Sequence, residues 1–90
     1  MAILRIPTHL RAYTDKQSEI HVQGDTVADA LNDFAVRYPA VRQHLFNEEG
    51  KLRPFINLFL NDEDIRFMQG METHLNEDDR LMLLSTIAGG

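Results

Sequence analysis

Arg80-Leu81-Met82-Leu83-Leu84, running on through Ser85-Thr86-Ile87 to Ala88-Gly89-Gly90, is the stretch whose reading decides the architecture. Side chains alternate across a strand, so Leu81 and Leu83 share one face while Met82 and Leu84 take the other. A strand apolar on both faces belongs in the middle of a sheet. The di-glycine that follows reads as a thin, flexible tail ending in a carboxylate, because glycine carries no Cβ and lets backbone approach another surface closely. A frayed terminus would look the same in isolation. The rest of the chain decides between the two readings.

A second candidate for a central strand is Ala2 to Ile6, closed by Pro7, which cannot extend a ladder. Thr8 to Lys16 reads as a polar connection containing Leu10 and Tyr13. Ser18-Glu19-Ile20-His21-Val22 alternates, with Ile20 and Val22 inward, and pairs with the first strand as a hairpin. Thr26 is placed to cap a helix, with Asp29 three residues on. Val27, Ala30, Leu31, Phe34 and Tyr38 then recur at helical spacing, and Pro39 ends the run. Ala40 to Leu45 adds a short helical turn, and Asn47 to Lys51 a surface loop. Phe55 to Leu60 is the strongest strand, with Phe55, Asn57 and Phe59 on one face. Asn61 to Asp64 is a turn, Ile65-Arg66-Phe67 a short strand, and Gly70 to Leu75 irregular.

One main helix and a mostly antiparallel sheet make a two-layer α+β domain. Pairing the first and last strands in parallel at the centre gives a β-grasp arrangement of four to five strands with the helix on one face. That places Val27, Leu31 and Phe34 against Leu4, Ile6, Ile56, Leu58, Leu81 and Leu83. Residues 1–86 form the domain and residues 87–90 the tail.

Composition narrows the functional classes. Ninety residues, 43% of them hydrophobic, support one core and leave little room for a deep private active site, so the chain is expected not to be an enzyme. The formal net charge is −5, and only two of the nine basic residues are lysines, scattered along the chain. Nucleic acid binding needs a basic stripe and is not expected. No apolar run approaches a membrane span, and no secretory leader is visible, so a cytoplasmic protein is expected. There is no cysteine, which removes disulfides, thiolate ligands and cysteine nucleophiles. His9, His21, His44 and His74 lack ligand spacing, and the acidic turns Asn61 to Asp64 and Asn76 to Asp79 lack the loop of a calcium site, so no metal is expected.

Ile6-Pro7-Thr8 with Leu10-Arg11, Gly24-Asp25-Thr26, Asn61-Asp62-Glu63-Asp64-Ile65-Arg66-Phe67 and Ala88-Gly89-Gly90 together resemble the MoaD/ThiS family of ubiquitin-like sulfur carriers. The Asn61 to Phe67 segment is most similar to the CysO type. The resemblance implies a cycle of chemistry at Gly90. An E1-like adenylyltransferase/sulfurtransferase joins the Gly90 carboxylate to AMP, and a sulfur donor displaces AMP to leave a thiocarboxylate. The sulfur passes to a substrate on a pyridoxal-phosphate enzyme resembling cysteine synthase, and a JAMM-type zinc metalloprotease is a further partner. The ATP, pyridoxal phosphate and zinc belong to those enzymes, and this chain binds no cofactor. Gly89 lets the tail extend into a partner's site. The resemblance also implies docking through the open sheet face, where Phe59, Met82 and Leu84 form an apolar patch leading to Ala88, with Arg66 and Arg80 at its flanks.

Rival readings are a molybdopterin synthase small subunit or thiazole-pathway carrier, a ubiquitin-like modifier joined to lysines, and a β-grasp binding module without tail chemistry.

Overall fold

The computed structural model describes residues 1–85. The expected boundary between residues 86 and 87, and with it Ala88, Gly89 and Gly90, lies outside the described residues. Five strands form one sheet: β1 (Ala2–Arg5), β2 (Glu19–Val22), β3 (Ile56–Leu60), β4 (Glu63–Asp64) and β5 (Arg80–Ser85). Their order is β2-β1-β5-β3-β4. β1 and β5 run parallel at the centre, with Leu4 opposite Leu81, and the other pairings are antiparallel. This is the β-grasp arrangement that the two apolar strands demand.

The main helix α1 (Val27–Arg37) crosses one face. It starts where Thr26 Oγ1 accepts the Asp29 N–H at 3.2 Å, satisfying one of the free donors of the first turn. It ends at Tyr38, whose φ of −129° leaves the helical region ahead of Pro39. Its inward stripe buries Val27, Ala30, Leu31 and Phe34, with Ala35 beside them. A second, one-turn helix α2 (Arg42–Leu45) seats Leu45, with Val41 just before it. Leu4, Leu58, Leu81 and Leu83 join the core from the sheet, with Ile6 just beyond β1.

Four local expectations are corrected, one of them at Gly70 to Leu75, expected to be irregular, where Gly70–Glu72 forms a 3-10 turn. Within the stretch read as a polar connection, Thr8–Tyr13 form a 3-10 helix, and Leu10 on it is fully buried. Ile65–Phe67 is also a 3-10 turn; the strand at that edge is Glu63–Asp64. Phe55 precedes β3 and packs against the core rather than lying on the opposite face with Asn57 and Phe59. Ile56 is the first residue of the strand, so strand alternation does not govern Phe55.

The helix start is latched to the loop before β5. The Val27 N–H donates to Thr73 O at 3.0 Å and the Leu75 N–H to Asp25 O at 2.8 Å. Gly24, just upstream, lies against the first turn of α1 with φ +150°.

Candidate functional site

The sheet has two unlike faces. Leu58, Leu60, Leu81 and Leu83 point to the helix and are buried. The intervening Asn57, Phe59 and Met82 are half-buried on the other face, and Leu84 is 40% exposed. Antiparallel register sets Phe59 directly across from Met82 and Asn57 across from Leu84. The structure thus brings Phe59, Met82 and Leu84 together on the open face. Large apolar side chains left partly in water along one sheet face form an interaction surface more often than a neutral exterior.

Residues of β1 and β2 complete that surface. Parallel pairing of β1 with β5 sets Ile3 beside Arg80 and Arg5 beside Met82. A cavity of about 280 Å³ opens there, bounded by Ile3, Arg5, Glu19, Phe59, Arg80 and Met82. Arg5 reaches Glu19 at 3.5 Å across the β1–β2 hairpin. Both side chains are well exposed, so the pair adds little to stability and leaves the arginine available to a partner. Sequence reasoning missed Ile3, Arg5 and Glu19. The alternation within β1 and β2 was readable, but their place beside Met82 follows only from the parallel register.

Of the two arginines expected to flank the patch, Arg80 lines this cavity, and Arg66 is committed elsewhere. The hairpin from β3 to β4 turns on Asn61 and Asp62, both at positive φ (49° and 72°). This is the backbone demanded by the tightest two-residue hairpin loop, for which Asn and Asp are among the favoured residues. Asn61 also ties the hairpin to the entry of β5. Its Oδ1 accepts the Arg80 N–H at 3.0 Å, and its Nδ2 donates to Asp79 Oδ1 at 2.9 Å. Beyond the turn, Asp64 is 8% exposed and accepts from the Arg66 N–H at 2.9 Å and from Arg66 Nη2 at 2.6 Å.

The side chain and main chain of Arg66 hold the Asp64 carboxyl below the usual carboxylate range. A carboxyl depressed in the folded state contributes stability above its unfolded pKa and loses it as pH falls through the folded value. Asp64→Asn should therefore melt below the parent at neutral pH. The gap should close as both proteins are acidified through and below the ordinary carboxylate range, as followed by urea midpoints across a pH series.

No group of His, Cys, Asp and Glu among the described residues is arranged to hold a metal ion. No helix among them is long and apolar enough to cross a membrane. The chemistry expected of Gly89 and Gly90, and the contact expected of Ala88, lie outside the described residues.

Comparison with known proteins places this geometry among relatives. The ThiS family model matches residues 4–90. The sulfur carrier protein CysO of Mycobacterium tuberculosis is 36% identical over 87 residues, which covers 94% of each chain. Among solved structures, a chain of the Amycolatopsis orientalis BexX/CysO complex superposes with a TM-score of 0.90 at 37% identity, covering 100% of both chains. The small archaeal modifier protein 1 of Methanosarcina acetivorans superposes with a TM-score of 0.86 at 27% identity, covering 99% of this chain and 95% of that one.

Proposed function

The chain belongs to the ThiS family, and on that premise we propose that it is a sulfur carrier of cysteine biosynthesis whose working group is the carboxyl of Gly90. The observation that carries the reading is the match to the family and to CysO over almost the whole chain, joined to a di-glycine at residues 89–90. The absence of cysteine fits it: sulfur held by this protein sits on the main chain.

The chemistry follows from the state of a carboxylate. It is ionised at neutral pH, and an anion resists a nucleophile. Attack of a Gly90 carboxylate oxygen on the α-phosphorus of ATP expels pyrophosphate and leaves an acyl adenylate. A sulfide-class donor then adds to the carbonyl carbon, AMP departs with the oxygen that bridged to phosphorus, and a thiocarboxylate remains. Its sulfur carries the negative charge and attacks an activated amino-acid substrate on a pyridoxal-phosphate enzyme. A zinc metalloprotease then separates product from carrier. The protein acts as co-substrate throughout, with adenylating and transfer chemistry supplied by its partners.

Docking is assigned to the open sheet face. Phe59, Met82 and Leu84 supply apolar contact, Ala88 carries that contact toward the di-glycine, and Ile3 and Arg5 extend the surface across β1. Phe59→Asp should leave the fold intact and weaken binding to the adenylating enzyme about tenfold or more, the cost of losing a central aromatic contact. Calorimetric titration against that enzyme, with a thermal melt as control, measures both. Unfolding of the variant would assign Phe59 to the core instead.

The likeness to a small archaeal modifier protein favours a second reading, conjugation to lysines of other proteins. Affinity purification of the tagged chain from its own cells under denaturing conditions separates the two. A carrier returns as a single species, and a modifier as a ladder of covalent adducts.

A further inference from the structure

The formal charge of −5 is not spread evenly over the molecule. Arg5, Arg37 and Arg66 are paired with Glu19, Asp33 and Asp64. Asp25, Asp62, Glu77 and Asp78 are exposed and gather where β5 begins. Asn61 binds Asp79 and the Arg80 N–H there, and Asp25 O accepts the Leu75 N–H. The end where β5 finishes carries the opposite sign. β1 runs parallel to β5 with Arg5 beside Met82, so Arg11 and Lys16, which follow β1, lie at that end. On the other side of β5, Ser85 pairs with Ile56, whose N–H donates to Arg53 O at 3.0 Å. Arg53 Nε donates to Gln43 O at 2.9 Å, which holds its side chain against α2. Arg42 and Arg53 line an open cleft of about 700 Å³ with Pro39, Gln43, Phe46 and Glu48. Arg11, Lys16, Arg42 and Arg53 make no ion pair among the described residues. Asp15, Glu48 and Glu49 stand among them, with Lys51, and leave the sign positive.

We propose that an acidic segment of the adenylating enzyme, at the mouth of the passage that takes the tail, seats in the cleft between α2 and the entry of β3, its carboxylates on Arg42 and Arg53. The place follows from reach. Residues 86–90 follow Ser85, and a chain of that length spans at most about 18 Å. An enzyme acting on Gly90 therefore brings its surface against the end of β5. One wall of its passage meets the open sheet face, and the opposite wall meets the helix layer, where α2 and Arg53 lie. The sign of that wall follows from complementarity, since two guanidiniums without a partner carboxylate favour an acidic surface. The choice of enzyme follows from the reaction. Adenylation brings the Gly90 carboxylate to a nucleotide triphosphate, two anions that repel. A positive end around the root of the tail offsets that repulsion during approach and turns the molecule tail-first. The inference rests on the carrier reading given above.

The test is steady-state loading of the purified full-length chain by the adenylating enzyme of the same organism, with ATP and a sulfide source, across a salt series. Arg42→Gln with Arg53→Gln should raise the half-saturating carrier concentration about tenfold at low salt. The gap should narrow as salt rises, because exposed charges are screened. The maximal rate should stay within about twofold of the parent, since the cleft touches neither Gly90 nor the nucleotide. Arg42→Lys keeps the charge and should stay within about twofold of the parent in both quantities. Glu77→Gln with Asp78→Asn changes the net charge by the same amount at the opposite end and should also stay within about twofold. A thermal melt accompanies each variant. Should the double arginine variant melt well below the parent, Arg42→Gln alone decides, with about a threefold rise expected, because it leaves the bond from Arg53 to Gln43 in place. An unchanged half-saturating concentration in a folded variant overturns the proposal, as does a loss that salt does not narrow or an equal shift from Glu77 and Asp78. Failure of the parent chain to load at all overturns the carrier reading itself, a result distinguishable from these.

Discussion

Gly90→Ala is expected to fold as the parent does and to acquire sulfur about 100-fold more slowly, the scale of loss for a reacting group displaced by about an ångström. Among the described residues the buried core runs from Ala2 to Leu83, and a methyl group at residue 90 is expected to leave it untouched. The cost falls on the complex. To be adenylated, a main-chain carboxylate must reach the α-phosphate of a nucleotide held inside another protein. A passage shaped for two glycines has no room for a Cβ. Removal of both Gly89 and Gly90 should abolish loading outright while the melting temperature stays put. The paired readouts are the rate of carrier-dependent pyrophosphate release and a thermal melt. Loading of Gly90→Ala at the parental rate would remove the narrow-passage argument and the role given to the di-glycine.

The largest expected effect on the fold itself is at Gly24. A Cβ built there would stand 2.5 Å from Asp29 Cβ, 2.8 Å from Ala30 N and 2.9 Å from Asp29 C, closer than real carbon contacts come. Two of those atoms are main chain of the first turn of α1, so no rotamer change relieves the contact. The backbone there also sits at φ +150°, where an L side chain is strained. Overpacking and a disfavoured backbone each cost about 1–3 kcal/mol, giving about 3 kcal/mol for Gly24→Ala. That is a large share of the roughly 5–15 kcal/mol that holds a domain of this kind together. Urea denaturation measures it directly. A loss under about 1 kcal/mol would show that the helix start can shift to make room, a degree of give at odds with its bonds to Thr73 and Leu75.

The β-grasp arrangement was legible because its signals were redundant. β1 and β5 are each apolar enough to be central, and α1 carries both a cap and a stop. What was lost lay where two or three residues decide a conformation. Ile65-Arg66-Phe67 alternates apolar, polar, apolar, and reads as a strand. The Asp64 carboxylate, by accepting the Arg66 N–H, turns it into a 3-10 helix. Leu10 stands alone among polar neighbours, a pattern that carries no period, yet it fills the core. Phe55 extends the alternation of β3 by one residue beyond the strand, and a one-residue error inverts the face assigned. The same logic applies to the site. Phe59, Met82 and Leu84 followed from alternation within single strands, while Ile3 and Arg5 depended on a pairing between distant segments.

These two predictions bear on different halves of the molecule. Gly24 concerns whether the domain stands, and Gly90 what the domain is for. Between them lies the open sheet face of Phe59, Met82 and Leu84, the surface through which docking is proposed.

The most direct measurement is the intact mass of the protein before and after incubation with its adenylating enzyme, ATP and a sulfide source. The account predicts a gain equal to the replacement of one oxygen by sulfur, located by fragmentation at Gly90 and absent without ATP. An unchanged mass in the presence of an active enzyme, or the same gain located at any other residue, would contradict it.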